Sequence, residues 1–258
     1  MADWDGQEYD DVSALQRSMA ALALTGLTLQ GSERLLDVGC GDGFVTLQLA
    51  ARLPGGSALG VDASPRMIAK ARSRAVPDGA QVRFEVADAL ELPFHGEFDV
   101  AVSFNALHWV VDQLTALSGV ARSLTPRGRA VIQLVCAGER PSLEAVAMNV
   151  CADPAWADRF VGFGAPFIHV EPSRFREISA AAGLTVTDTA VTDHDWDFGS
   201  REAFTRWCAV GFSDWTAHLD DEVATRFVGD VVHAYESVAG RPGLFCFTQM
   251  RVTLTRTG

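Results

Sequence analysis

The sequence has little positive charge. Lys70 is the only lysine among 258 residues, and lysine and arginine together number 21 against 33 aspartates and glutamates, which gives a net charge of −12. The arginines are scattered along the chain. Because affinity for nucleic acid depends on lysine and arginine neutralising phosphates, this balance predicts that nucleic acid is not a partner.

Paired cysteines and long apolar runs are also missing. The five cysteines lie far apart and no two have the spacing of zinc ligands, so we expect reduced thiols, a cytoplasmic protein and no metal centre. The apolar run at 19–29 is shorter than the roughly 20 residues that cross a bilayer, and the acidic start of the chain does not resemble a secretory signal. We therefore expect no membrane association, and the sequence leaves the oligomeric state open.

Short apolar runs alternate regularly with helical patterns. Strands are predicted at 34–38, 58–61, 81–86, 98–103 and 129–135, and helices between them at 44–53, 65–75 and 112–124. This rhythm is typical of an α/β fold with a doubly wound, mostly parallel, Rossmann-like sheet. Two later runs, 184–198 and 244–255, bring the predicted sheet to seven strands and favour an antiparallel edge strand.

A glycine-rich segment joins the first predicted strand to the first helix. In LLDVGCGDGF, residues 35–44, the glycines Gly39, Gly41 and Gly43 allow a sharp turn and the close approach of a ligand. Asp62 ends the second strand about 20 residues further on, where a carboxylate can bind both hydroxyls of a ribose. The arrangement predicts a ligand that contains a nucleoside.

The residues around these glycines indicate which nucleoside. Phe44 stands where a dinucleotide fingerprint needs a third glycine, and Asp37 and Asp42 would repel a pyrophosphate but suit a cation. A positively charged ligand with a ribose and no phosphate is S-adenosylmethionine. A nicotinamide dehydrogenase is disfavoured for the same reasons. Both acids could instead cap the following helix, which is compatible with ligand binding.

Four motifs together resemble the class I S-adenosylmethionine-dependent methyltransferases. LLDVGCGDG is similar to the glycine loop of that family, GVDAS to its second strand, EVADALELPF to its third-strand motif and FDVAVSFNALHWV to its fourth-strand motif. The resemblance implies S-adenosylmethionine as cofactor, with Asp88 holding the adenine amino group. The cofactor-binding residues it implies are Asp37, Gly39, Cys40, Gly41, Gly43, Asp62, Ala63, Met67, Asp88, Ala89, Asn105 and Ala106, joined by Trp4 and Tyr9 near the N-terminus.

A shorter resemblance concerns the methyl acceptor. LHWV after the fourth strand, with WDGQEY near the N-terminus, resembles the carboxyl methyltransferases of the trans-aconitate and juvenile-hormone-acid types. In that subgroup a tryptophan and a glutamine donate hydrogen bonds to the substrate carboxylate, which would here be Trp109 and Gln7. His108 departs from the trans-aconitate type and leaves the acceptor open.

Chemistry separates the acceptors that remain. A carboxylate, with a pKa of about 4, is already ionised at neutral pH and needs donors to orient it but no base. A phenol or an amine would need a base, and His108 would be the natural one. We therefore expect methylation of a carboxylate in a small organic acid. The alternatives are methylation of a natural product at carbon, nitrogen or a phenolic oxygen, and a protein that binds the cofactor without methylating.

The second half of the chain is expected to hold the body of the acceptor. Arg140 is the one arginine well placed by sequence for a highly charged acid. An apolar cavity that favours an organic acid with an apolar body is predicted from the aromatic residues Trp156, Phe160, Phe163, Phe167, Trp207, Phe212 and Trp215.

We predict one domain with three parts. Residues 1–30 form an N-terminal arm and helix that close over the cofactor, and residues 31–136 form the cofactor-binding core. Residues 137–258 complete the sheet and add a helical cap that binds the acceptor.

Overall fold

The protein is built on one seven-stranded sheet. The computed structural model describes residues 14–257, and within them the strands are β1 Arg34–Val38, β2 Ser57–Asp62, β3 Val82–Val86, β4 Phe98–Phe104, β5 Leu124–Val135, β6 Leu184–Asp197 and β7 Leu244–Arg256. They lie in the order β3-β2-β1-β4-β5-β7-β6. The order reverses beside β1, which places the carboxyl ends of β1 and β4 next to each other.

The pairing confirms the predicted fold class. β1 is parallel to β2 and β4, β2 to β3, and β4 to β5, whereas β7 is antiparallel to both β5 and β6. The antiparallel strand β7 therefore lies one place in from the edge, and β6 is outermost. Leu35, Leu36 and Val38 of β1 are at most 1% exposed because helices cover both faces of the central strands.

Helices fill the connections between the strands. They are α1 Ala14–Thr25, α2 Phe44–Ala50, α3 Pro65–Ser73, α4 Gln113–Ser123, α5 Leu143–Cys151, α6 Pro172–Ala181, α7 Arg201–Gly211, α8 Ser213–Thr216 and α9 Asp221–Ala239. Single 3₁₀ turns follow β3 at Ala89–Glu91 and β4 at Leu107–Trp109. Ser64 caps α3, since its side chain accepts from the Met67 amide, and Pro65 opens the helix.

The helix α5 was not predicted from the sequence. It lies in the stretch 141–167, where three prolines and scattered aromatic residues obscure the helical period. The start is nevertheless encoded locally, because the Ser142 hydroxyl accepts a hydrogen bond from the Ala145 amide at 3.1 Å.

The cap consists of α5, α7, α8 and α9 and has an aromatic core of its own. Trp215, Phe227 and Tyr235 are fully buried in it, and α9 packs against both α5 and α7. Phe245 and Phe247 of β7 join the same cluster, which fixes the cap to the end of the sheet. Among the described helices, none has the length and apolar character needed to cross a membrane.

Tyr235 completes the hydrogen bonding of β7 where its partner strand stops. β5 pairs with β7 only from Gln249 onward. Nearer the start of β7, the Tyr235 hydroxyl donates to the Cys246 carbonyl at 2.7 Å and accepts from the Cys246 amide at 3.1 Å. A side chain of the cap therefore replaces a strand neighbour.

We expect Tyr235→Phe to lower the free energy of unfolding by about 1–3 kcal/mol, because two buried backbone groups lose their partner. Urea unfolding followed by circular dichroism measures the change. Ser237→Ala, at an exposed position on the same helix, is the control and should shift the midpoint little. Equal midpoints for Tyr235→Phe and the wild type would contradict the role assigned to the hydroxyl.

Candidate active site

A cavity of about 320 Å³ opens at the carboxyl ends of β1, β2 and β4. The glycine loop, which we define as residues 39–43, forms one wall, and the residues after β4 form another. α1 and the cap close the remaining sides. This is the position in which open α/β sheets bind ligands.

The glycine loop is tied to the neighbouring strands. The amides of Gly39 and Cys40 both donate to the Val61 carbonyl, at 2.8 and 2.9 Å. Gly39 has a φ of 75°, and a Cβ at this position would collide with the side chain of Ala106 after β4. Gly41, with a φ of 54°, has nothing within 4 Å of the place where a Cβ would stand. The loop thus presents bare backbone to the cavity at Gly41.

Gly43 has a different task. It precedes α2 with a φ of 77°, and a Cβ there would meet Phe84 and Ala71 at 2.7 and 2.8 Å. The absence of a side chain lets the start of α2 pack against α3 and β3. Gly43 therefore supports the loop from behind.

Asp62 stands at the end of β2 and lines the cavity. Its Oδ2 accepts from the Gly41 amide and its Oδ1 from the Ser64 amide, each at 2.9 Å. Burial raises the pKa of this carboxyl, and the two backbone donors oppose the rise. Each oxygen keeps a second lone pair for a ligand hydroxyl.

The other two acids of the loop region are engaged within the protein. Asp37 is 2% exposed and does not line the cavity; its Oδ2 accepts from the Thr46 hydroxyl at 2.6 Å. Burial raises the pKa of Asp37 to about 7, against the Thr46 hydrogen bond and helped by the nearby Asp62 charge. Asp42 forms an ion pair with Arg74, whose Nε also donates to the Asp42 carbonyl at 2.8 Å. The charge of Asp42 is therefore largely balanced before any ligand binds.

Most of the remaining cofactor-binding residues inferred from the sequence also meet at this cavity. Asp88 does not line it: its exposed carboxylate caps the 3₁₀ turn by accepting from the Leu90 amide at 2.9 Å. The residues that do line it are Cys40, Ala63, Met67, Ala89, Asn105 and Ala106.

Asn105 adopts an unusual backbone conformation. Its φ is 57°, in the left-handed region that non-glycine residues seldom enter. The Asn105 amide donates to the Gln133 carbonyl at 2.7 Å, and its Oδ1 accepts from Gln249 Nε2 at 2.7 Å. β5 and β7 thereby hold the turn that leads to His108 and Trp109.

His108 is enclosed in the cavity wall. It is 4% exposed, its Nδ1 has no partner among the described residues, and the His169 ring lies 6.0 Å away. Burial and, to a smaller extent, the neighbouring His169 together lower the pKa of His108 to about 3. The imidazole is therefore neutral at physiological pH. Trp109, the next residue, lines the cavity 5.1 Å from the His108 ring and packs edge-on to Trp215.

The aromatic lining differs from the set predicted from the sequence. Trp207 and Phe212 line the cavity. The other five, Trp156, Phe160, Phe163, Phe167 and Trp215, pack into the aromatic core of the cap instead. Their spacing did not reveal this, because whether a helical or loop aromatic faces a cavity depends on tertiary contacts.

Several lining residues were missed. Phe245 and Phe247 alternate along β7 and so share a face, a signal that the period of two could have provided. Arg17 and Met19 come from α1, and Leu143 and Glu144 from the unpredicted α5. Together with Trp207 and Phe212, we refer to Leu143, Glu144, Phe245 and Phe247 as the cap wall.

Arg140 lies away from the cavity. Its guanidinium group pairs with Asp195 at 3.4 Å on the surface. Arg17 is the arginine that α1 contributes to the lining. The predicted contacts of Trp4, Gln7 and Tyr9 lie outside the described residues.

Comparison with known proteins assigns the family. Residues 35–128 match a family described as a methyltransferase domain. A trans-aconitate 2-methyltransferase of Methylobacterium nodulans is 30% identical over 265 residues, covering 100% of both chains. A putative methyltransferase of Bacillus halodurans has a TM-score of 0.64 at 16% identity over 93% of this chain and 100% of that one. The cyclase SpnF has a TM-score of 0.61 at 21% identity over 93% and 80%, so the fold alone does not define a reaction.

Three findings agree on the class of protein. They are the 30% identity to a methyltransferase over the full length, the match to a methyltransferase domain and the cavity at the switch point of the sheet. The chain belongs to the class I S-adenosylmethionine-dependent methyltransferases. Within that class it is near the trans-aconitate type, as the motifs after β4 and near the N-terminus had indicated.

The buried Asp37 carboxyl should make stability depend on pH. Its pKa is about 7 in the folded protein and about 4 when unfolded, so folding takes up a proton between these values. The free energy of unfolding should therefore fall as pH rises from about 4 to about 7, by up to about 1.4 kcal/mol per pH unit. Asp37→Asn should remove this contribution, as measured by urea unfolding across that range.

Asp78→Asn, at an exposed loop position, is the matched control and should leave the slope unchanged. A slope that survives in Asp37→Asn would show that the buried carboxyl does not take up the proton.

Proposed function

We propose that this enzyme transfers the methyl group of S-adenosylmethionine to a carboxylate oxygen of a small organic acid with an apolar body. The observation that carries the proposal is the environment of His108. This histidine is the residue best placed after β4 to act as a base, and its surroundings make it a poor one. An acceptor that needs no base is therefore favoured.

The surroundings of His108 differ from those of a catalytic base. Such a histidine is usually oriented by a carboxylate, which raises its pKa toward the working pH. His108 instead faces His169, and burial holds its pKa at about 3. An imidazole of this kind removes a proton from a phenol or an ammonium group very inefficiently. A carboxylate, ionised in water at neutral pH, avoids the problem.

Trp109 is suited to orient such an acceptor. It lines the cavity directly after β4, beside Asn105 and Ala106. An indole N–H is a neutral donor, so it can align a carboxylate oxygen without the strong pairing that a guanidinium group would impose. Alignment and partial removal of water are the main requirements for this transfer, because two opposite charges cancel as it proceeds.

The residues around the glycine loop fit the cofactor. Asp62 would accept from the ribose hydroxyls, Gly41 would let the ligand approach the backbone, and Met67 and Ala89 would flank the adenine, with Asp88 at the rim. When bound, S-adenosylmethionine supplies an electrophilic methyl group. The chain's own acids favour its positive charge, since Asp62 lies in the lining and Asp37 is close enough for the charges of the two acids to interact.

The N-terminal contributions stay predictions. Gln7 would supply a second neutral donor to the carboxylate, and Trp4 and Tyr9 would cover the cofactor. α1 already supplies Arg17 and Met19 to the cavity, which supports an arm at residues 1–30 that closes over a core at 31–136. Residues 137–258 would then provide the rest of the sheet and the acceptor-binding cap.

Release of S-adenosylhomocysteine in the presence of a panel of organic and fatty acids tests the proposal. Trp109→Phe should lower kcat/KM for an accepted acid by about 10- to 100-fold, the value of one hydrogen bond to a charged group. Affinity for S-adenosylmethionine, measured by calorimetry, should change little. Trp196→Phe, the same change at a tryptophan outside the lining, is the control. Turnover with amines or phenols but with no acid would refute carboxylate methylation.

His108→Asn should retain most of the activity toward an accepted acid, because no proton has to be removed. Its pH profile between 6 and 9 should be as flat as that of the wild type, measured at saturating cofactor. Activity that disappears in His108→Asn, or a wild-type rate that rises with a pKa in this range and loses that dependence in the variant, would identify His108 as a base.

A further inference from the structure

The cap wall contains one carboxylate that the proposed methyl transfer does not use. Glu144 is the second residue of α5, is 8% exposed and lines the cavity. Its neighbours in the cap wall are apolar or aromatic. A carboxylate in such a place needs a physical reason, because burying a charged group without partners is costly.

Among the described residues, Glu144 has no hydrogen-bonding partner of its own. Within residues 14–257 no hydrogen bond reaches its side chain, and the nearest basic atom is His169 Nε2, at 3.9 Å from Oε2. That separation is too long for a hydrogen bond, and His169 Nε2 is itself without a partner among the described residues.

In the part of the chain that the structure describes, little neutralises this carboxylate. Burial lowers the pKa of His169, and the Glu144 charge opposes the shift only as the smaller influence. His169 is therefore largely uncharged at neutral pH. The first turn of α5 favours a negative charge but does not supply the missing donor to the side chain. The Glu144 carboxylate thus lines a cavity whose surrounding wall is otherwise mostly apolar.

We propose that Glu144 binds a hydroxyl or ammonium group carried by the acceptor at a distance from the carboxylate that is methylated. The acceptor is then a hydroxy acid or an amino acid with an apolar stretch between its two polar groups. The inference rests on the proposed function, because it assumes that a carboxylate is the group beside Trp109.

The same charge selects against other acids. A second carboxylate on the acceptor would meet Glu144 in a mostly apolar cavity, where repulsion between like charges is stronger than in water. Di- and tricarboxylates should therefore be poor acceptors. This separates the chain from a strict trans-aconitate specificity, in spite of its similarity to enzymes of that name.

Matched probes test the proposal on the full-length enzyme. Butyric, hexanoic, octanoic and decanoic acid are each compared with derivatives that carry a terminal hydroxyl, amino or carboxyl group. At the best chain length, the hydroxy or the amino acid should exceed the unsubstituted acid in kcat/KM by about tenfold or more, and the diacid should fall below it. Which of the two terminal groups is preferred distinguishes a neutral from a cationic partner.

Two variants assign the selectivity to Glu144. Glu144→Leu should reduce the preference for the terminal hydroxyl or amino group to about one, chiefly through KM. Glu144→Gln should improve the diacid relative to the wild type. Glu177→Gln, at an exposed position on α6, is the control and should alter neither ratio. Thermal unfolding confirms that each variant is folded.

The outcomes separate this inference from the function on which it rests. If acids are methylated but Glu144→Leu keeps the wild-type preference, the inference is wrong and the function stands. If Glu144→Leu lowers kcat equally for all acids, Glu144 takes part in catalysis and is not a specificity group. Calorimetry of the same acids with enzyme bound to S-adenosylhomocysteine gives a readout without turnover. If a terminal hydroxyl strengthens binding through Glu144 but no acid is methylated, the role of Glu144 stands and the carboxylate acceptor is refuted.

Discussion

The close contact between the glycine loop and its two neighbouring strands is the constraint on which the site depends. The amides of Gly39 and Cys40 share the Val61 carbonyl of β2, and Gly39 has no side chain because Ala106 occupies that space. One short loop thus fixes the ends of β1, β2 and β4 relative to one another. Asp62 and Trp109 are brought to the same cavity as a direct consequence.

The three acids near this loop have different surroundings and different roles, which the sequence alone did not distinguish. Asp42 is balanced by Arg74, and Asp37 is buried with Thr46, so Asp62 is the member of this group that both keeps its charge largely uncompensated and faces the cavity. The electrostatic argument for a cationic nucleoside therefore rests mainly on Asp62. Asp37 adds to it from behind, to the extent that its raised pKa leaves it ionised.

The cofactor half of the fold could be predicted closely, because local signals determine it. Strand periodicity located β1 to β4 to within one residue at either end. β5 begins five residues before its predicted start of 129, at Leu124, where a register shift opposite Phe98 and Val100 lets the strand continue through Pro126 and Gly128. The cap could not be read in the same way. Helix α5 is flanked by prolines, which hide its helical period. Whether Trp156 or Trp215 faces the cavity depends on packing against α9, and no local period encodes that packing.

That difference explains why the cofactor follows from the sequence and the acceptor does not. The cofactor, which is common to the class, would be bound mainly by backbone geometry. The positions of glycines and strand ends in the sequence indicate that geometry. The acceptor would instead meet side chains from α1, α5, α7 and β7, elements far apart in sequence that line the cavity. Among them Glu144 contributes a buried carboxylate to a wall of Leu143, Phe245 and other apolar groups, a combination suited to an elongated acid with a distant donor and unsuited to a polycarboxylate. The relative of the trans-aconitate type is 30% identical, so most side chains differ between the two chains, and the polarity of the cap wall is the better guide to the acceptor.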